Sequence, residues 1–125
     1  MIKNILLVSI GGGIGSVLRY LCHKWIYQLY PFTFPWGTFL VNITGCFLIG
    51  IFFAGSEKTA LISADWKLFL TTGICGGFTT FSAFAFENMN LLRTGDVTYS
   101  ILYTVSSVIL GILAVFAGIG MMKLL

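Results

Sequence analysis

Apolar residues occupy four long stretches of this chain, and short groups of polar residues or prolines separate them. The stretches cover residues 5–29, 35–55, 66–92 and 97–123. Each has at least the roughly 20 residues that an α-helix needs to cross a lipid bilayer. The connections are short, with Pro31 and Pro35 between the first two helices, so successive helices are predicted to be antiparallel neighbours. The pattern predicts an all-α integral membrane protein of one domain, residues 1–125, with four transmembrane helices.

The third stretch is predicted to be interrupted between Gly76 and Thr80. The segment Gly73–Phe84 holds three glycines, two threonines and a serine, where a lipid-facing helix would carry leucines. A helix in lipid must satisfy its own backbone, and such residues mark places where membrane helices unwind around a cavity or an ion. Small residues can instead let a neighbouring helix pack closely. The hydroxyl residues and two flanking phenylalanines favour the interruption.

A glycine-rich face marks the first stretch. Gly11 and Gly15 have the spacing of a small-residue packing motif, so another helix is expected to lie against them. A nucleotide-binding loop would need a preceding strand, which an apolar helix does not provide. The apolar run continues past Arg19 without a small-residue cleavage site, so we interpret it as a retained helix rather than a signal peptide.

Two polar side chains in the first two helices each have two interpretations. Arg19 either extends to the lipid headgroups or stands at the mouth of an aqueous vestibule and attracts anions. Asn42 lies one turn after Thr38 inside the second helix, where an amide is costly unless it is used. Asn42 either bonds a neighbouring helix or presents its NH2 donors to a passing ligand.

Aromatic and hydroxyl residues form two further patterns. Phe81 and Phe84 are three residues apart and share one side of a helix, so they either pack in the core or line a path with their electropositive ring edges. Tyr103 and Ser107 continue a series of hydroxyl residues at every fourth position. These hydroxyls either join helices or point into a cavity.

Composition excludes several classes of protein. With 58% hydrophobic and 9% charged residues and a mean hydropathy of +0.98, the chain belongs in a lipid bilayer rather than in water. The net charge of +3 comes from separated basic residues, so nucleic acid is not an expected partner. Three widely spaced cysteines indicate neither a disulfide framework nor a metal cluster. No nucleophile is paired with a base, so we do not expect an enzyme.

The basic residues give only a weak preference for one orientation in the membrane. Four antiparallel helices would place Lys3, Lys58, Lys67 and Lys123 on the side of the termini, and Lys24, Arg93 and the deeper Arg19 on the other. The positive-inside rule therefore predicts that insertion in both directions is possible.

Three segments together resemble one known family. They are Gly11–Tyr20, Pro35–Gly45, and Gly73–Phe84 followed by Glu87. Over essentially its whole length the chain resembles the Fluc (CrcB) family of fluoride channels, and the segment Gly76–Ser82 is highly specific to that family. The resemblance implies an antiparallel, dual-topology homodimer with a broken third helix, two fluoride pores and a structural sodium ion at the dimer centre. It also implies a multi-pass protein of the cell (inner or plasma) membrane that exports fluoride passively and protects against fluoride toxicity.

The same resemblance assigns roles to individual positions. The implied fluoride pore consists of Asn42, Phe81, Phe84, Thr38, Thr80, Ser82, Tyr103 and Ser107. Arg19 and Glu87 would line a vestibule, and the backbone carbonyls of Gly76 and Thr79 would hold the sodium ion. Gly111, the next position after Ser107 in the hydroxyl series, carries no hydroxyl, which leaves a place for a water molecule.

Two other functions are compatible with a small four-helix membrane protein. A proton-coupled exporter like the small multidrug-resistance proteins depends on a carboxylate deep in the first helix. The first helix of this chain has none, and Glu87, about twenty residues after Trp66, is expected near the membrane edge. A passive assembly subunit would not explain an interrupted helix that carries polar groups.

Overall fold

The protein is described by a computed structural model that covers residues 1–29, 33–58 and 62–125, and it is helical almost throughout these ranges. The helices are α1 (Ile2–Leu29), α2 (Trp36–Lys58), α3 (Ala64–Leu68), a π-helical segment (Phe69–Cys75), α4 (Gly76–Phe78), α5 (Phe81–Arg93) and α6 (Val97–Leu124). Within these ranges four spans are long and apolar enough to cross a membrane: α1, α2, α6 and the third span, Ala64–Arg93, which runs from α3 to α5. The prediction of an all-α protein with four transmembrane helices is confirmed.

The first two helices are longer than the sequence pattern predicts. Helix α1 begins at Ile2 rather than at residue 5, and α2 continues to Lys58 rather than ending at residue 55. The added turn of α2 has a physical reason, because Lys58 Nζ donates to the carbonyl oxygens of Met122 (3.3 Å) and Lys123 (2.8 Å) at the end of α6. Pro31 lies outside the described residues.

Helix α1 lies against the third span through glycine contacts. A Cβ atom added at Gly11 would stand 2.8 Å from the carbonyl oxygen of Phe69. One at Gly15 would overlap the Ile74 carbonyl, and one at Gly77 would overlap the Gly12 carbonyl. The prediction that a helix lies against the glycine face of α1 is therefore confirmed.

Helices α2 and α6 run side by side and also make a close backbone contact. A Cβ at Gly50 would overlap the carbonyl oxygen of Val115, and one at Gly118 would overlap that of Phe47. No larger residue fits at either position without moving a backbone, so the two glycines hold the register of α2 against α6.

The third span departs from α-helical geometry twice. In the π-helical segment the Gly76 N–H donates to the Thr71 carbonyl, five residues back. Thr79 (φ −81°, ψ 159°) and Thr80 (φ −152°, ψ 116°) have extended backbones before α5 begins. Gly76 itself is helical (φ −62°, ψ −39°), so it does not belong to the interruption predicted from Gly76 to Thr80. The next glycine, Gly77, contacts the backbone of Gly12 in α1.

Candidate functional site

Asn42 joins α2 to the extended residues of the third span. Its Oδ1 accepts a hydrogen bond from the Thr80 N–H (2.8 Å), and its Nδ2 donates to the Thr80 carbonyl (3.0 Å). One side chain thus satisfies both backbone groups of a residue that lies outside a helix, as an apolar environment requires. Of the two interpretations of Asn42, the structure contains the bond to a neighbouring element, and the second Nδ2 hydrogen remains for another acceptor.

A cavity of about 320 Å³ lies beside the Asn42–Thr80 pair. Its lining residues come from α2, the extended segment, the start of α5 and α6: Asn42, Gly45, Cys46, Ile49, Thr79, Thr80, Phe81, Phe84, Ser107 and Val108. Five of the pore residues implied by the resemblance meet here, namely Asn42, Thr80, Phe81, Phe84 and Ser107. None of the lining residues is charged, and the ring centroids of the two phenylalanines are 5.7 Å apart.

Two other implied pore residues, Thr38 and Tyr103, bind a carboxylate next to this cavity. Thr38 Oγ1 donates to Glu87 Oε1 at 2.5 Å, and the Tyr103 hydroxyl donates to Oε2 at 2.8 Å. Both donors are 0% exposed. The Tyr103 ring meets Phe84 edge to face at 4.9 Å between centroids, which brings this network into contact with the wall of the cavity. Neither Thr38 nor Tyr103 lines the cavity itself.

The remaining implied residues lie around this centre. Glu87 lines a second cavity of about 320 Å³ together with Tyr27 and Asp96, towards the end of α5. Arg19 lines a third, of about 310 Å³, with Ser16, His23 and Thr80. The structure thus places Arg19 and the cavity of Asn42 on two sides of Thr80. Ser82 is exposed, and its hydroxyl lies 3.4 Å from that of Thr80.

Sequence reasoning missed Asn88, which connects α5 to α6. Its Oδ1 accepts hydrogen bonds from Ser100 (2.8 Å) and Thr104 (3.1 Å), and its Nδ2 donates to the Phe84 carbonyl (3.1 Å). Asn88 therefore holds the helix that carries Phe84 against the helix that carries Ser107. The sequence did contain a signal for Asn88: an amide inside an apolar span must find hydrogen-bond partners there.

The carbonyl groups of Gly76 and Thr79 lack the donors that a continuous helix would supply. In such a helix, Gly76 would accept from the Thr80 N–H and Thr79 from the Ala83 N–H. The Thr80 N–H instead donates to Asn42 Oδ1, and the Ala83 N–H donates to Thr80 Oγ1 at 3.2 Å. These two carbonyls are thereby available to a hard cation. Among the described residues there is no group of three His, Cys, Asp or Glu side chains that could hold a metal.

Comparison with known proteins places the chain in a family. Residues 6–119 match the family described as CrcB-like protein, Camphor Resistance (CrcB). The chain belongs to the CrcB family.

Relatives of similar length carry one common name. A protein of Phocaeicola vulgatus is 50% identical over 119 residues, which is 95% of this chain and 98% of the relative. One of Flavobacterium psychrophilum is 48% identical over 94% of each chain, and one of Bacteroides fragilis is 50% identical over 93% of each. All three are named fluoride-specific ion channel FluC.

Proposed function

We propose that this CrcB-family chain is a fluoride-selective ion channel. It passes fluoride out of the cell passively across the cell membrane, as a multi-pass protein, and thereby protects against fluoride toxicity. The single observation that carries the proposal is the uncharged cavity that Asn42, Phe81, Phe84 and Ser107 line beside the extended residues of the third span. The relatives that are named fluoride-specific ion channels support it over almost the whole chain.

The chemistry of the cavity suits a small anion. Fluoride is strongly hydrated, so a selective path must offer donors in place of water. One Nδ2 hydrogen of Asn42 is unused by Thr80. The Ser107 hydroxyl oxygen is buried and has no partner among the described residues. The phenylalanine ring edges are electropositive and tolerate an anion. These groups favour an anion over a cation without placing a fixed positive charge in the path.

Next to the cavity, the Glu87 carboxylate accepts hydrogen bonds from two further residues of the proposed pathway, Thr38 and Tyr103. Thr38 and Tyr103 are donors whose hydroxyl hydrogens point at the Glu87 carboxylate. A fluoride ion that reached them would have to replace the carboxylate as acceptor, so Thr38 and Tyr103 serve the pathway only through such an exchange. Ser82, Thr80 and Arg19 remain proposed members of the pathway and its vestibule.

The proposed assembly is an antiparallel homodimer with a sodium ion at its centre. Gly76 and Phe81 are exposed on the single chain, Phe81 at 79%, next to carbonyls that lipid would leave unsatisfied. Two copies related by a two-fold axis would bring the Gly76 and Thr79 carbonyls of both together as four neutral oxygens. Neutral oxygens suit a monovalent cation better than calcium or magnesium, whose sites usually include carboxylates.

Fluoride efflux from liposomes that contain only the purified protein tests the proposed function. We expect vesicles loaded with potassium fluoride to empty when a potassium ionophore is added, while vesicles loaded with potassium chloride keep their anion. A proton-coupled exporter would instead need a pH gradient. Equal fluoride and chloride rates, or efflux that stops without a proton gradient, would contradict the proposal.

A further inference from the structure

We infer that the Cys46 thiol is a hydrogen-bond donor of the ion pathway and takes the place of the side chain that Gly111 lacks. The inference rests on the proposed function and deepens it, because it adds a specificity-determining residue from α2 to the cavity. It follows from the register of α2 and α6 and from the position of one sulfur atom.

Along α2 and α6, pairs of facing residues follow one another at intervals of one helical turn, and each pair defines a level. At the first level Thr38 and Tyr103 both donate to Glu87. Four residues later on each helix, Asn42 and Ser107 line the same cavity. One further turn along, the facing residues are Cys46 and Gly111, and here a thiol stands opposite a position without a side chain.

The sulfur of Cys46 occupies the space beside Gly111. A Cβ atom added at Gly111 would have Cys46 Sγ as its nearest neighbour outside the adjacent α6 backbone, at 3.6 Å, and among the described residues would meet no further such atom within 4 Å. This is ordinary van der Waals contact, so a small side chain at position 111 fits. The place of the missing hydroxyl in the α6 series is thus filled from the opposite helix.

The surroundings of Cys46 indicate a role beyond packing. It is a free thiol, half-buried, and it lines the same cavity as Ser107, whose buried hydroxyl oxygen has no partner in the described part of the chain. A thiol is a weak hydrogen-bond donor. An anion that leaves the donors of Asn42 and Ser107 therefore meets the S–H group next.

Paired substitutions at Cys46 test whether the donor matters. Cys46→Ser keeps a donor and strengthens it, whereas Cys46→Ala removes it at nearly the same size. We expect fluoride efflux to fall about threefold to tenfold in Cys46→Ala, the effect of one lost hydrogen bond, and to stay at or above the original rate in Cys46→Ser. Equal rates in the two variants would overturn the inference.

A rescue variant separates a donor from a packing role. In Cys46→Ala/Gly111→Ser, the hydroxyl comes from α6 instead of α2, into the space that the sulfur leaves. We expect the double variant to recover most of the lost fluoride efflux and to keep the exclusion of chloride. If fluoride efflux in the double variant is as slow as in Cys46→Ala, a hydrogen-bond donor at this level does not limit the efflux rate, and the inference fails.

Two controls complete the experiment. Cys22→Ala removes a thiol from α1, outside the lining of the cavity, and is expected to leave efflux unchanged. Should Cys46→Ala not assemble, Cys46→Thr against Cys46→Val makes the same comparison with an isosteric pair, in which only threonine donates. Normal fluoride efflux in the original protein together with equal rates in the matched pair would overturn this inference alone. Absence of fluoride efflux in the original protein would overturn the proposed function, and this inference with it.

Discussion

At the scale of single residues, Asn42 uses both polar atoms of its amide to bind the backbone of Thr80. An amide both accepts from the Thr80 N–H and donates to the Thr80 carbonyl, 2.8 and 3.0 Å away. Aspartate has the same shape but no donor. It would set a carboxylate oxygen against the Thr80 carbonyl and place a negative charge on a cavity that we propose conducts an anion.

We therefore expect Asn42→Asp to lower fluoride efflux by at least about tenfold, since it loses one hydrogen bond and adds charge repulsion. Liposome efflux measures the rate, and size-exclusion chromatography shows whether the protein still assembles. The matched control is Asn4→Asp, the same change at an exposed position near the start of α1, which should conduct normally. Unchanged efflux in Asn42→Asp would show that Asn42 only holds the fold.

At the scale of helices, the third span shows how packing and unwinding are divided between neighbouring residues. The sequence pattern assigns glycines and threonines to one interruption. In the structure Gly73 and Gly77 pack against α1 in helical geometry, whereas Thr79 and Thr80 are extended. Which residues are helical and which are extended depends on other helices. Helix α1 packs against the glycines, and Asn42 of α2 binds the backbone of the extended Thr80.

The glycine contact between α1 and the third span predicts a position-specific loss of stability. A methyl group at Gly77 would overlap the backbone of Gly12, whereas one at Gly13 would meet nothing within 4 Å. We expect Gly77→Ala to lower the free energy of unfolding by about 1–3 kcal/mol, the usual effect of overpacking, and Gly13→Ala to leave it unchanged. Thermal unfolding in detergent compares the two. Similar midpoints for both variants would mean that α1 and the third span are not packed as described.

At the scale of the whole molecule, the proposed homodimer would give partners to two carbonyl groups that have lost their helical donors. The Gly76 and Thr79 carbonyls lack their helical donors, and the side of the chain next to them exposes Phe81. Each unpaired polar group costs several kcal/mol in lipid, which favours a second copy and a cation that pairs them.

Sodium removal tests this assembly. When sodium is replaced throughout purification by a large organic cation, we expect the proposed homodimer to dissociate or unfold at a lower temperature and fluoride efflux to fall. Readdition of sodium should restore both, while the same concentration of the organic cation should not. The proposed central ion would be wrong if dimer stability and efflux were identical with and without sodium.

Much of the architecture follows from the sequence alone, because lipid imposes its demands locally. Each span is a long, predominantly apolar stretch, and the spacing of Gly11 and Gly15 predicts a closely packed neighbour. The family could also be predicted, since its motifs are short, continuous segments of the sequence. Several site residues, among them Phe81 and Phe84, were placed together by helical periodicity, which needs no knowledge of other helices.

Only the tertiary structure decided which polar groups meet. Thr38 and Tyr103 share Glu87, Asn42 pairs with Thr80, and the Cys46 sulfur lies beside Gly111 because α2, α5 and α6 have one particular register. That register depends on backbone contacts between different helices, such as the overlap that any side chain at Gly118 would produce with α2. No single helix contains this information, so the sequence pattern of one helix cannot reveal whether its hydroxyls and amides face an ion or each other.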